Sequence, residues 1–231
     1  DKVYKVSTEP TYPPFDTTNK DGDIVGFDMD LMKAIAKDQG FKVEFESLEF
    51  DALIPALKSD STDIVIAGMN VTPERAKQVA FSDSYYKTGI VLLVKKDNTN
   101  ITGWDNFTSG SGIKVAAQTG TSQADIAAQL KKEGKVSKSV ILNQNTTALQ
   151  QLGNGDVDAV LVDKPVAVDI VASQGDKYKI VGDIKPDSIA DVAIAVKTDN
   201  KEILKKINKG LKHLKENGIY DKLAKKWKIE Q

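Results

Sequence analysis

The sequence predicts an α/β protein of two lobes, each a mostly parallel sheet flanked by helices. Short runs rich in β-branched residues alternate with longer stretches whose apolar positions recur every three or four residues, the signature of parallel strand–helix–strand units. The same pattern restarts near residue 90. An Asn-, Thr-, Ser- and Gly-rich stretch at 98–112 then reads as a surface excursion, which places the junction between lobes near residues 85–94. A chain of 231 residues is long enough for one large domain or two small ones.

Residues 3–7, 42–46 and 63–67 read as strands by length and β-branched content. Between the first two, Met29, Leu31, Met32, Ile35 and Ala36 fall at helical spacing, and Gly40 ends that helix. Between the next two, Phe50, Leu53, Ile54 and Leu57 form a second apolar stripe. After the restart, strands are expected at 90–94, 113–117, 139–142, 158–162 and 178–181, with helices over 122–133 and 146–153. A last strand at 191–196 leads into a helix with Ile203, Leu204, Ile207, Leu211 and Leu214 on one face. Asn217-Gly218 marks a turn before a final helix carrying Leu223 and Trp227. The strand pattern alone leaves open whether this last portion returns to the first lobe.

Composition removes several function classes. With 32 basic and 33 acidic side chains there is no broad field to attract nucleic acid. No cysteine means no disulfide, thiol nucleophile or cysteine-bearing metal site, and a single histidine, His213, rules out multi-histidine zinc sites and histidine-based triads. No apolar run approaches the roughly 20 residues needed to span a bilayer. No signal peptide precedes Asp1, so the mature part of an exported protein is the expectation. The many Lys and Glu residues of the terminal helices read as a solvated face.

Three polar loops follow expected strands, where open parallel sheets place ligands. In the first, EPTYPPF at 9–15, Glu9 stands three residues before Tyr12, and a carboxylate with an aromatic face suits a cation. An exposed acid beside a packed tyrosine explains the same residues. In the second, AGMNVTPER at 67–75, Gly68 permits close backbone approach, Thr72-Pro73 resembles an N-cap followed by a first helical proline, and Arg75 falls in the first turn. Free amides and an arginine fork would receive a carboxylate, while a surface pairing of Arg75 with Glu74 or Asp83 is the plain alternative. The third, QTGTSQ at 118–123, suits an anionic oxygen but lacks a P-loop lysine, and ordinary capping accounts equally well for Thr121 or Ser122. Asp163, at a strand end, offers an acid for an ammonium or else a turn before Pro165. Sorted by charge, these groups describe an α-amino acid with a basic side chain. No activated nucleophile accompanies them, so binding rather than catalysis is expected.

An ordered set of motifs across essentially the whole chain then resembles the amino-acid-binding proteins that serve ABC importers of polar amino acids: GFDMDL at 26–31, FDALIPAL at 50–57, AGMNVTPER at 67–75, FSDSYY at 81–86, GDVDAV at 155–160, NGIY at 217–220 and Lys226-Trp227. The resemblance implies the type II periplasmic-binding-protein fold. Its first lobe would comprise residues 1–86 plus 192–231 and its second 90–186, with hinges at about 85–90 and 186–192. It further implies that Tyr12 and Phe50 sandwich the ligand side chain, and that Gly68 and Asn70 contact its ammonium and side chain. Thr72 belongs to the same loop, Arg75 would clamp the carboxylate with help from Thr121 and Ser122, and Asp163 would accept the ammonium.

Glu9 to Phe15, the Arg75 loop and Gln118 resemble the arginine-binding branch most closely, although Asn70 is neutral where some arginine binders carry an acid. The resemblance therefore implies capture of L-arginine by lobe closure and delivery to an ABC importer, with glutamine as the alternative ligand and a cyclohexadienyl dehydratase-like enzyme or a receptor's sensor domain as more distant readings. It implies a monomer, no cofactor, no metal and no nucleic acid, in the periplasm or on the cell surface as a lipoprotein.

Overall fold

The computed structural model describes residues 2–229, so the ends of the expected first lobe, Asp1 and residues 230–231, lie outside it. The chain divides into two units, residues 1–87 with 191–231, and residues 88–190, and each contains one five-stranded sheet.

In the first unit the strand Val3–Thr8 runs parallel to Lys42–Ser47 on one side and Ile64–Val65 on the other. Through the helix Phe27–Gln39 the chain leaves to one side of Val3–Thr8; through Leu53–Lys58 it crosses back to the other. The two connections thus diverge at the boundary between Val3–Thr8 and Ile64–Val65, the kind of switch point where such sheets bind ligands. The returning strand Ala195–Val196 is antiparallel to both Ile64–Val65 and Ala80–Phe81. Met29, Leu31, Met32 and Ile35 of one helix and Ile203, Ile207, Leu211 and Leu214 of Lys201–Glu216 are buried at the three-to-four-residue spacing seen in the sequence. Each contributes about 1.5–3 kcal/mol of transfer free energy. Leu53 and Leu57 pack with Val65, Met69 and Val79 in a second cluster.

The second unit repeats the plan. Lys114–Gln118 runs parallel to Lys138–Leu142 and Ala159–Asp163, and Ile90–Lys95 is antiparallel to Ala159–Asp163 and Tyr178–Val181. Residues 90–94 are all buried, as expected of a strand covered on both faces. In each sheet four strands point one way and one is reversed. The reversed strand is the first that joins the sheet after the chain changes units, Ile90–Lys95 in one case and Ala195–Val196 in the other. Just before them, Tyr86–Thr88 and Ala190–Val192 pair with each other as a two-stranded ribbon.

Several expectations change in detail. The single strand at 191–196 is two strands, because Val192 serves the ribbon and the Tyr85 amide while Ala195–Val196 enters the sheet. The third expected strand shortens to Ile64–Val65 before the chain turns into the Gly68 loop. Pro165 does not mark a turn but sits in the first turn of an unanticipated helix, Lys164–Gln174, where a missing N–H costs nothing. A short hairpin of Thr17–Thr18 and Ile24–Val25 also escaped the sequence pattern.

Candidate functional site

Within the first unit, register brings three loops to one edge of the sheet. Ser7 pairs with Val65 and Thr8 with Ser47, so Glu9, the Gly68 loop and Phe50 all follow the C-terminal ends of adjacent parallel strands. Glu9 is only 2% exposed and accepts a hydrogen bond from the Thr11 hydroxyl, which removes the exposed-acid reading. Tyr12 is buried, its ring tilted against Phe15 at 6.1 Å. Gly68 is left-handed (φ +57°), and a Cβ there would lie 3.4 Å from both Phe15 and Tyr12 ring carbons. Its N–H donates to Asp28 Oδ2 at 2.8 Å, so any contact of Gly68 with a ligand must use the carbonyl.

Thr72 caps the helix Pro73–Ala76, its hydroxyl accepting from the Arg75 N–H at 3.1 Å, with Pro73 in the first turn. The expected amide-rich helix start is weaker than the motif suggested. The helix is a single turn, Pro73 has no N–H, and the Arg75 N–H already bonds Thr72. An anion received at this loop would depend on the Arg75 side chain more than on the helix amides. Its Nη1 donates to the Asn70 carbonyl at 2.8 Å and its guanidinium carbon sits 5.4 Å from the Phe50 ring centroid. Asn70, buried, forms an isolated bridge with Val192.

Two further acids lie beneath this edge and were not picked out as site residues. Asp16 and Asp28 are both fully buried. Asp28 accepts from the Gly68 N–H and, at 2.7 Å, from the Tyr85 hydroxyl. Burial lifts Asp28 to about 6 against the lowering effect of its hydrogen bonds with Asp16, Tyr85 and Gly68. Burial, then the Asp28 charge, push Asp16 well above the usual carboxylate range. The helical spacing around Met29 and Leu31 was the only sequence signal that Asp28 sits at the start of a buried helix.

Within the second unit the strand ends again converge. Ala159 pairs with Val115 and Val160 with Ala116, so Asp163 ends its strand beside the loop that follows Gln118. Gln118 is buried, donates to the Asn143 carbonyl at 3.2 Å and accepts from Asn145 at 3.3 Å. Thr121 caps the helix Ser122–Lys132: its hydroxyl accepts from the Ala124 N–H and donates to the Gln118 carbonyl. With its proton given to Gln118 and an oxygen lone pair to the cap, that hydroxyl has no proton to donate to an anion, and the positive end of the helix is the feature suited to one. The Ser122 hydroxyl donates to Gln123 at 3.2 Å. Asp163 is 2% exposed, its Oδ1 is buried without a hydrogen-bond partner, and burial pushes it up to about 8. A buried acid at the end of the strand beside a helix N-terminus sets an acceptor next to the positive end of a helix, a combination suited to an ammonium and a carboxylate on one carbon.

Among the described residues, no helix is long and apolar enough to cross a membrane and no group of His, Cys, Asp or Glu side chains is arranged to hold a metal ion.

The chain resembles known proteins over almost its whole length. Residues 4–230 match the family described as bacterial extracellular solute-binding proteins, family 3. The chain is 37% identical over 226 residues to the arginine-binding extracellular protein ArtP of Bacillus subtilis, covering 96% of this chain and 84% of that protein. Among solved structures, it is 42% identical to an ancestral arginine-binding protein bound to arginine, with a TM-score of 0.90 and 97% of each chain covered. An ancestral arginine-binding protein bound to glutamine is equally 42% identical, with a TM-score of 0.88 and coverage of 99% and 98%. The two mixed five-stranded sheets are thus those of the type II periplasmic-binding-protein fold, and the family's work is binding, not catalysis. With a match that runs almost from end to end, this chain belongs to the bacterial extracellular solute-binding proteins of family 3.

Proposed function

We propose that the protein captures L-arginine outside the cytoplasm and delivers it to an ABC importer, with lysine, ornithine and histidine as weaker ligands. The observation that carries an amino-acid ligand is Asp163, a buried acid with an unpartnered oxygen beside the helix start at Thr121–Ser122. In this reading Asp163 accepts the α-ammonium together with the Gly68 carbonyl. Arg75 and the amides following Thr121 hold the α-carboxylate. Tyr12 and Phe50 flank the side chain, Asn70 and Gln118 add polar contacts, and Thr72 shapes the Arg75 turn. Glu9 faces the guanidinium, and its burial supports a charged partner rather than water. Similarity to arginine-binding proteins supports the same ligand.

The ligand then bonds groups of both units, with segments 85–90 and 186–192 as hinges, so its binding favours the closed form that an importer recognises. The protein acts as a monomer, in the periplasm or at the cell surface.

Glutamine is the second reading, supported by the neutral Asn70 and by the glutamine-bound ancestral relative. Titration calorimetry against the twenty common amino acids and ornithine decides between them. Arginine should give the tightest binding. Strong heat with glutamine and none with arginine would transfer the function to the alternative.

A further inference from the structure

Asp16 and Asp28 are wholly buried, and neither meets a lysine or arginine side chain among the described residues. Their side chains lie within hydrogen-bonding reach of each other. Two ionised carboxylates in such a dry contact repel strongly, whereas a single proton between them turns the contact into a short charge-assisted hydrogen bond. The surroundings decide which acid keeps it. Asp28 already accepts from the Gly68 N–H at 2.8 Å and the Tyr85 hydroxyl at 2.7 Å, both of which stabilise its charged form. Both oxygens of Asp16 are buried, and no backbone N–H donates to either of them as Gly68 does to Asp28. Burial and the Asp28 and Glu9 carboxylates favour a neutral Asp16 and outweigh the opposing pull of the Thr8 hydroxyl, while Tyr85 and Tyr220 stand on the Asp28 side.

We propose that Asp16 keeps a proton at neutral pH and donates it to Asp28, and that this pair is a positioning device holding both the Gly68 loop and the Tyr85 side chain. The connections run outward in two directions. Through Gly68, Asp28 fixes the loop that carries Asn70, Thr72 and Arg75. Through Tyr85, it fixes the residue immediately before the ribbon strand Tyr86–Thr88; the Tyr85 carbonyl in turn accepts from the Tyr220 hydroxyl and its ring stacks on Phe27 at 6.1 Å. One shared proton thus ties the ligand loop to the start of the crossover. Ionising Asp16 at alkaline pH places two charges in that contact and loosens both attachments.

The effect on affinity rests on the function proposed above; the protonation does not. Difference infrared spectroscopy of the full chain at neutral pH reads the protonation without any ligand. Asp16→Asn should remove one protonated-carboxyl C=O band, distinct from the band removed by Asp163→Asn. If Asp16→Asn removes none, the proposal fails. Calorimetry with L-arginine and L-glutamine as probes reads the positioning. Asp16→Leu, which has no donor, should weaken binding about tenfold or more, the scale of one charge-assisted hydrogen bond. Asp16→Asn, whose amide donates at every pH, should restore affinity and flatten the alkaline loss expected of the wild type. Equal weakening by Asn and Leu, or none by Leu, would overturn the positioning role. Should the leucine variant not fold, the alkaline profile of wild type against Asp16→Asn tests the same role: identical profiles would overturn it. Should the wild type bind neither amino acid, the ligand assignment falls and the infrared result still stands or falls alone.

Discussion

The guanidinium of Arg75 lies over the Phe50 ring, 5.4 Å from its centroid, while Nη1 is tied to the Asn70 carbonyl at 2.8 Å. The stacking and the hydrogen bond fix the plane of the fork before any ligand arrives. Lysine keeps the charge but has neither the plane nor the fork. Arg75→Lys should therefore weaken amino-acid binding by about 1.5–3 kcal/mol with little change in the melting temperature. Calorimetry and thermal melts check this; unchanged affinity would remove Arg75 from the site.

Glu9 gives a test of ligand choice. Glu9→Gln keeps the shape and the contact with Thr11 but removes the charge, so arginine should lose about 1.5–3 kcal/mol while glutamine loses much less. Parallel titrations with both amino acids measure the difference. An equal loss for both would mean that Glu9 only shapes the loop.

Asp163 predicts a linkage with pH. Burial raises its carboxyl to about 8, above the unfolded value of about 3.9. Its contribution to stability is thus fully present below about pH 4 and is lost as pH rises through about 8. An ammonium held against it favours the ionised form, so binding near pH 7 should release a proton and tighten from pH 6 to 8. Calorimetry in buffers of different ionisation heat measures that proton. Asp163→Asn should abolish the release, and persistence of the release in that variant would assign it elsewhere.

Gly26 predicts a stability effect at the base of the same unit as Arg75 and Glu9. It precedes the helix Phe27–Gln39 at φ +142°, and a Cβ there would stand 2.1 Å from the Phe15 carbonyl oxygen. The Phe27 and Asp28 amides bond to the Pro14 and Phe15 carbonyls just beside it. Gly26→Ala should cost about 2 kcal/mol or more. Urea unfolding should show a clear fall in midpoint; a midpoint within error of wild type would show that the two segments can separate freely.

What the sequence displayed depended on which side of an element faces water. The helices around Ile35 and Ile207 bury one stripe and expose the other, so their period was plain. Lys164–Gln174 buries Pro165, Val166, Ala167 and Ile170 with an apolar, partly β-branched surround, and its period disappears. The candidate ligand loops stood out because they are polar stretches after strands: Glu9 follows Val3–Thr8 and Asp163 ends Ala159–Asp163, while Arg75 lies in a short helix farther along the loop after Ile64–Val65. The return of the last strand to the first unit was not legible from spacing and came from the resemblance alone. Nor was the Asp16–Asp28 contact, since no sequence spacing links an acid near Thr17 to one in a helix until the fold sets Gly68 against Asp28, forty residues away. Thr121 carried the opposite lesson: its hydroxyl, suited on paper to an anion, is consumed by the cap.

The reversed strand Ala195–Val196 also dictates an order of assembly. It stands between Ile64–Val65 and Ala80–Phe81 and, among the described residues, is the one strand that pairs with Ala80–Phe81. Until residues 195–196 emerge during synthesis, the first unit has an open edge at Ile64–Val65 and a stranded segment beyond it. The second unit, a continuous stretch from 88 to 190, has all five of its strands more than a dozen residues earlier. The domain that begins first is therefore finished last, and the inserted one can settle while its host still waits for the end of the chain.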